Sequence, residues 1–557
     1  MKWIKNYKYQ FTFFILLFFI INLLQSYYTR LLEDEAYYWV WSKNLAFGYF
    51  DHPPLVAVWV KISSLFFDNE LGVRFFSTIS FSLMLLIIWG IIEVPKKRNY
   101  VWLYFLLVSS VALLNVYGFI TTPDTPLLLF VALFLLAYKK FLQNKSLLHI
   151  LLLGFSMAAM LYSKYHGVLV IFFVVLSNLK LLKNKKFWIA GVVGFILFSP
   201  HLYWQYANDF PSVRYHLLER GNRPYSINNT LMHFVNQIAI VGITFPLIYT
   251  AFFKRKNIRL FEKSLVYIVY GTILFFFFST FKSRPQAQWT GVILIPLIIL
   301  TFPYFIEHQK ARKRLVILGV IQFLIILVAR LFLANDTISP IQLEPHISKT
   351  WVNPLKEKTE NKPIVFINSY RNASVYRFYT GIQTHSYSDI YGRKSQYDLM
   401  NTEKIMQNKS IVAVGKWIAG DTLVKKRKKI YYGITIDNYK TFQQVACTIL
   451  EKEIILNPKG ENILAFELTN TYEKPINFEH VSFVGFFQGN KNKILKKITL
   501  SVKNLKSLKA GEKVILEASF VTPKILFDSN TTFRVSMQFY GFPGGYQGNK
   551  VPVKIVE

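Results

Sequence analysis

Three adjacent acids, Glu33-Asp34-Glu35, open the run Leu31-Leu32-Glu33-Asp34-Glu35-Ala36-Tyr37-Tyr38-Trp39, in a chain with 31 Asp and Glu against 65 Lys and Arg. They stand just beyond the first apolar stretch, where the chain leaves hydrocarbon. Partial desolvation there raises a carboxyl pKa and suits a general base; the plainer alternative is a solvated loop that ends a helix. A second run, Gly48-Tyr49-Phe50-Asp51-His52-Pro53-Pro54-Leu55, puts Asp51 and His52 before two prolines, which make the backbone extended and stiff. Those prolines could equally punctuate the start of an interfacial helix. A third, Thr122-Pro123-Asp124-Thr125-Pro126, pins a carboxylate between prolines, as a catalytic acid or as an N-cap. Cations follow at Lys164, beside Tyr165 and His166, and at Lys282 and Arg284, ahead of Trp289.

The elements that must position these residues are membrane spans. The chain has 557 residues, 52% of them hydrophobic, and segments of ~20 apolar residues recur through the first 333 positions, each long enough for ~30 Å of hydrocarbon. Eleven spans are expected, at about 10–28, 73–94, 101–119, 126–142, 147–163, 166–182, 187–203, 232–253, 264–281, 288–306 and 313–333. The first follows Lys2, Lys5 and Lys8 and has no small-residue cleavage site after it, so it is expected to remain as a span.

Alternate turns carry the cations: Lys96-Lys97-Arg98, Lys139-Lys140 with Lys145, Lys183 with Lys185-Lys186, Lys254-Arg255-Lys256, and Lys310 with Arg312-Lys313-Arg314. By the positive-inside rule that side is cytoplasmic, and the acid- and aromatic-rich loops face outward. Lys164 and Arg284 then lie on the side the rule disfavours. A phosphate ligand would account for them; snorkelling to headgroups is the competing account.

Carboxylates from two outer loops and cations from two others therefore share one membrane face with aromatic side chains suited to sugar. A polyprenyl-phosphate sugar needs such a site: a base for the acceptor and positive charge for the departing phosphate. After Asn335 the composition becomes that of a soluble protein. The expected domains are a membrane catalytic domain over 1–335, an α/β unit over 336–440 and a β-sandwich-like domain over 441–557, the last two periplasmic. The strand-like runs Pro363-Ile364-Val365-Phe366-Ile367 and Ile411-Val412-Ala413-Val414-Gly415 mark the former, and alternating runs such as Ile463 to Leu468 and Lys513 to Phe520 the latter.

The motifs Asp34-Glu35-Ala36-Tyr37-Tyr38, Tyr49-Phe50-Asp51-His52-Pro53-Pro54-Leu55, Thr122-Pro123-Asp124 and Ser163-Lys164-Tyr165, in that order, resemble those of the GT-C membrane glycosyltransferases. The nearest branch is the bacterial dolichyl-phosphate-mannose protein mannosyltransferase-like group, which includes the lipid A aminoarabinose transferases. The resemblance covers about residues 1–335. It implies a polytopic α-helical inner-membrane enzyme of the inverting type, using a polyprenyl-phosphate monosaccharide and a glycolipid, protein or polysaccharide acceptor. Asp34 then corresponds to the first-loop catalytic acid with Glu35 as its motif neighbour, and Asp124 to the acid of the second outer loop. His52, Lys164, Arg284 and Lys282 are assigned to the donor phosphate, and Asp51, Tyr37, Tyr38, Tyr165, His166 and Trp289 to substrate. His52 replaces the lysine of a Phe-Glu-Lys-Pro-Pro-like run, and a histidine binds phosphate best when protonated.

No cofactor is expected; the outer acids could take a divalent cation, but the resembled enzymes do not generally need one. The net charge of +34 is accounted for by topology and does not call for nucleic acid. A single cysteine, Cys447, excludes an intramolecular disulfide and a cysteine metal site. A transporter or flippase for a lipid-linked sugar is the other function class. It would call for charges near the bilayer midplane, whereas here the acids gather at the outer rim.

Overall fold

In the computed structural model the first apolar run is α1 (Tyr7–Tyr28), begun by Asn6, whose side chain accepts the Lys8 N–H. Two short helices, α2 (Glu33–Ser42) and α3 (Leu55–Ser63), fill the first loop before α4 (Glu70–Ile91). There follow α5 (Val101–Ser109), α6 (Ala112–Tyr117), α7 (Asp124–Gln143), α8 (Leu147–Ser163), α9 (Gly167–Ser177), α10 (Lys185–Ala207) and the single turn α11 (Pro211–Arg214). The membrane part is completed by α12 (Ile227–Val241), α13 (Phe245–Phe253), α14 (Leu260–Ser279), α15 (Leu294–Glu307) and α16 (Gln309–Ala334). The structure describes residues 6–219, 224–255, 258–458, 460–479, 481–503 and 505–555, without the side chains of Leu218, Glu219 and Lys491. Lys2, Lys5 and Lys256 of the sequence reading lie outside the described residues.

Among the described residues seven helices are long and apolar enough to cross a membrane: α1, α4, α7, α10, α14, the stretch Ala287–Glu307 that ends in α15, and α16. The pair α12–α13 makes an eighth only when taken together, bent by 98°. The other three expected crossings are shorter. One is split into α5 and α6, where Asn115 closes the break by donating to the Ser109 and Val111 carbonyls. The others, α8 with 17 residues and α9 with 11, are separated only by the polar turn at 164–166.

The turn cations have structural work besides topology. Lys97 Nζ donates to the Trp89 and Ile92 carbonyls and Lys139 Nζ to the Ile91 carbonyl, satisfying acceptors that the end of α4 leaves open. Small residues allow the closest helix approach. A Cβ on Gly154 of α8 would sit 2.5 Å from the Ala190 carbonyl of α10. Within α10, Pro200 cannot donate to the Ile196 carbonyl, and the Ser199 hydroxyl does so instead at 2.8 Å.

The chain divides into two compact units, up to Ser348 and from Lys349 onward. The second begins with a five-stranded sheet of β1 (Ile364–Ile367), β2 (Thr384–Tyr387), β3 (Ile411–Gly415), β4 (Asp421–Lys426) and β5 (Lys429–Ile436), in the order β2-β1-β3-β5-β4. Strand β1 is parallel to both β2 and β3, and the helix Tyr370–Thr380 makes the β1-to-β2 crossover. The basic run Lys425 to Lys429 is the tip of the β4–β5 hairpin.

Beyond it lie a five-stranded and a four-stranded sheet. In the latter, Glu461–Thr469 runs antiparallel to Lys513–Val521 with Phe466 opposite Leu516; in the former, Val481–Gln488 pairs with Thr532–Phe539. Alternate residues turn inward, and the two sheets meet through the ring pairs Phe466–Phe483 at 5.5 Å and Phe520–Phe533 at 5.4 Å. This unit also buries a carboxyl: Glu403 accepts from the Tyr472 and Thr441 hydroxyls.

Candidate active site at the first outer loop

The three acids of the first loop form the first turn of α2, so helical geometry sends neighbouring side chains in different directions. Glu35 points inward and is fully buried. One of its oxygens accepts from Arg74 Nε at 2.7 Å and from the Thr121 N–H at 2.9 Å; the other accepts from Arg74 NH2 and from the Leu32 N–H at 3.0 Å. Arg74, also fully buried, spends its remaining donors on the carbonyls of Ser26, Thr29 and Arg30. A planar guanidinium between a carboxylate and three carbonyls locks the end of α1, the start of α2, α4 and the 121 turn together. Glu35 was grouped with Asp34 as catalytic by motif; with both oxygens occupied, it positions α2.

Asp34 is partly exposed, one helical step from Glu35. Tyr37, Tyr38 and Trp41, three, four and seven residues on, share its face of α2. The Trp41 ring stacks on Tyr49 at 4.5 Å, and the Tyr49 hydroxyl accepts the Ala46 N–H, which folds the 43–52 loop back onto the helix. The His52 ring lies 6.4 Å from Tyr38 and 6.0 Å from His216; the His216 Nε2 faces the Asp51 carbonyl at 2.8 Å. Asp51 itself is buried.

Asp124 opens α7, and Lys164 caps the end of α8. The Lys164 ammonium meets both Asp124 oxygens at 2.8 Å, with the side chains only 6% and 11% exposed. Tyr117 is within hydrogen-bonding reach of Asp124, and the Glu35–Thr121 contact ties α2 to the turn that leads into Asp124. The two turns that sequence reasoning placed on one side of the membrane thus meet in a buried ion pair.

A hydrogen-bond chain holds the other flank. The His201 Nδ1 faces the Phe47 carbonyl at 2.6 Å, and its Nε2 faces the Tyr165 hydroxyl at 2.9 Å. Gln205 Nε2 donates to Tyr165 and to Ser212, each at 2.9 Å, and the Ser212 hydroxyl donates to the Tyr49 carbonyl. Burial pushes the Tyr165 phenol up to about 12, against the pull of Ser212 and Gln205, so it remains protonated and donates to His201. Gly48 lies against Trp204 of α10: a Cβ there would fall 2.1 Å from the indole ring.

The fifth outer loop contributes separately. His166 packs on Trp289 at 5.2 Å, and Trp289 with Arg284, Asn236 and Met232 lines a cavity of about 390 Å³. Arg284 is exposed there, while Lys282 is exposed and lines no part of it. Among the described residues no group of three or more His, Cys, Asp or Glu is arranged to hold a metal ion.

Sequence reasoning assigned no role to Arg74, Tyr117, His201, Gln205, Ser212, His216 or Asn236. Arg74 had a signal, a lone cation in an apolar span, which requires a buried partner. His201 and Gln205 had a weaker one, two polar residues four apart on one helix face.

Residues 51–204 match the family model described as dolichyl-phosphate-mannose-protein mannosyltransferase. The lipid A galacturonosyltransferase RgtD of Rhizobium johnstonii is 24% identical over 318 residues, which are 53% of this chain and 65% of that protein. Among solved structures, ArnT from Cupriavidus metallidurans in the apo state superposes with a TM-score of 0.55 at 13% identity, over 76% of this chain and 97% of ArnT. The same protein bound to undecaprenyl phosphate gives 0.52 over the same shares. The second likeness is one of fold.

Proposed function

We propose that this chain, a multi-pass membrane protein of the GT-C glycosyltransferase type related to the lipid A-modifying transferases, moves a monosaccharide from a polyprenyl-phosphate donor to an extracytoplasmic acceptor, with inversion at the anomeric carbon. The observation that carries the reading is a buried Lys164–Asp124 pair on the turn that the Glu35–Thr121 contact ties to α2, the helix that bears Asp34 and Tyr38. ArnT, a protein of this fold, has been seen with undecaprenyl phosphate, which supports a donor of that class.

In the proposed step the Asp34 carboxylate takes the proton of an acceptor hydroxyl or amine. The acceptor heteroatom bonds to the anomeric carbon from the face opposite the phosphate, and the carbon–phosphate oxygen bond breaks. The leaving polyprenyl phosphate carries the electron pair and is met by positive charge from Lys164 and, from the fifth loop, Arg284. Asp124 holds the ammonium in place while no donor is bound. Tyr37, Tyr38, Tyr165, His166 and Trp289 form the walls against the sugar, and His52 adds charge at low pH. No cofactor or metal enters this reading; loss of transfer on chelation would overturn that part. The lysine-poor face is extracytoplasmic, and the C-terminal unit lies on that side of the inner membrane.

Purified protein given a polyprenyl-phosphate sugar and a lipid acceptor should transfer the sugar and should ignore a nucleotide sugar. Asp34→Asn should lower turnover by about 10²- to 10⁴-fold, the range for a lost general base, with insertion and yield unchanged. Transfer by Asp34→Asn at the wild-type rate would remove the assignment.

A further inference from the structure

The C-terminal unit holds a cavity of about 520 Å³, within the range of about 300–1,000 Å³ typical of small-ligand sites. Three segments distant in sequence wall it: 404–408 ahead of β3, 440–442 after β5, and the 472–477 loop between the sandwich strands. Its floor is aromatic and fixed. Phe442 stacks on Phe478 at 5.8 Å, and the Tyr472 hydroxyl accepts the Gln444 N–H while donating to Glu403. Asn408 and Asn477 also line it, and the Asn477 amide nitrogen donates to the exposed Glu479 carboxylate at 3.0 Å.

The rim is cationic. Lys404, Lys440 and Lys474 line the cavity against a single carboxylate, Glu473. The Lys404–Glu473 contact is 3.5 Å and the Lys440–Glu479 contact 4.0 Å, both with exposed carboxylates, so a ligand anion displaces them at little cost. Lys474 is exposed.

An aromatic lining suits the C–H face of a sugar, the two amides suit its hydroxyls, and three loosely held ammonium groups suit a carboxylate or phosphate on it. We infer that this cavity binds an acidic saccharide. The site is independent of the transfer chemistry proposed above.

The test uses the full chain in detergent, titrated by calorimetry with trigalacturonate, glucose 6-phosphate, maltotriose and inorganic phosphate. At least one of the two acidic saccharides should bind, and which one does identifies the recognised anion. Maltotriose should not bind. Affinity should fall when salt is raised from about 50 to 500 mM, as exposed charges are screened. The double variant Lys440→Gln/Lys474→Gln should weaken binding by roughly tenfold, the factor set by about 1.4 kcal/mol, with the melting temperature unchanged. Asn477→Ala should weaken it separately. Binding of neither acidic saccharide, equal binding of maltotriose, equal binding of inorganic phosphate alone, or indifference to the lysine variants would overturn the inference.

Discussion

Two carboxylate–cation pairs lie under the same outer loops and are built to opposite ends. Glu35 and Arg74 share two contacts, and every remaining donor and acceptor of the pair is taken by backbone of α1, α2 or the 121 turn. Asp124 and Lys164 share two contacts of 2.8 Å made by an ammonium on a flexible stem. A guanidinium fork fixed on all sides cannot turn to a ligand, whereas an ammonium can exchange one oxygen for another without disturbing backbone. A third buried carboxyl, Glu403, accepts from two hydroxyls. The same functional group is thus held in three ways: by a fixed fork, by a mobile ammonium, and by hydroxyls.

The comparison breaks first at the clamp. Glu35→Gln or Arg74→Met leaves one buried charge uncompensated, which costs about 3–5 kcal/mol, and should appear as loss of folded protein in a detergent melting assay. A Glu35→Gln protein with wild-type melting and no transfer would make Glu35 a chemical group instead. Next, the double variant Lys164→Met/Asp124→Asn, which leaves no lone buried charge, should lower transfer by about 10²- to 10³-fold, as for removal of one transition-state charge donor, with a far smaller fall in melting temperature than either clamp variant. Equal loss of stability at both pairs would erase the distinction.

The smallest effect is at Glu403. Burial raises its carboxyl from the ordinary range to about 7. The folded protein then holds a proton that the unfolded chain has lost, so this group's contribution to stability declines as pH rises from about 4.5 towards 7. Buried His385 is pushed down to about 4 and acts in the opposite direction below 6.5. The difference between wild type and Glu403→Gln isolates the carboxyl: the advantage of wild type should shrink from pH 5 to pH 8 in denaturant titrations. A difference independent of pH would refute the assignment.

Much of the fold was readable because hydropathy and turn charge are local. The full-length spans declare themselves, and so do the alternating strands of the sandwich. The shorter α8 and α9 pose a harder case, since apolar content continues across a break set by only Lys164, Tyr165 and His166. In the site, residue type and loop order brought Asp124 and Lys164 to the same face, but sequence carries no sign that they touch. Glu33, Asp34 and Glu35 look alike in sequence; only helical phase and a partner 39 residues away distinguish the clamp from its neighbour. The His201–Gln205–Ser212 chain was illegible for the same reason, as its acceptors are main-chain carbonyls of a loop more than 150 residues earlier.

That chain begins and ends on carbonyls of one loop, at Phe47 and Tyr49, and both arms draw their hydrogens from the Gln205 amide. Each hydrogen in it is committed: Gln205 to Tyr165 and to Ser212, Tyr165 to His201, His201 to Phe47, Ser212 to Tyr49. Its two ends rest on main-chain carbonyls, which hold the loop in place and do not take up a proton near neutral pH. The histidine and tyrosine there are a brace for the loop.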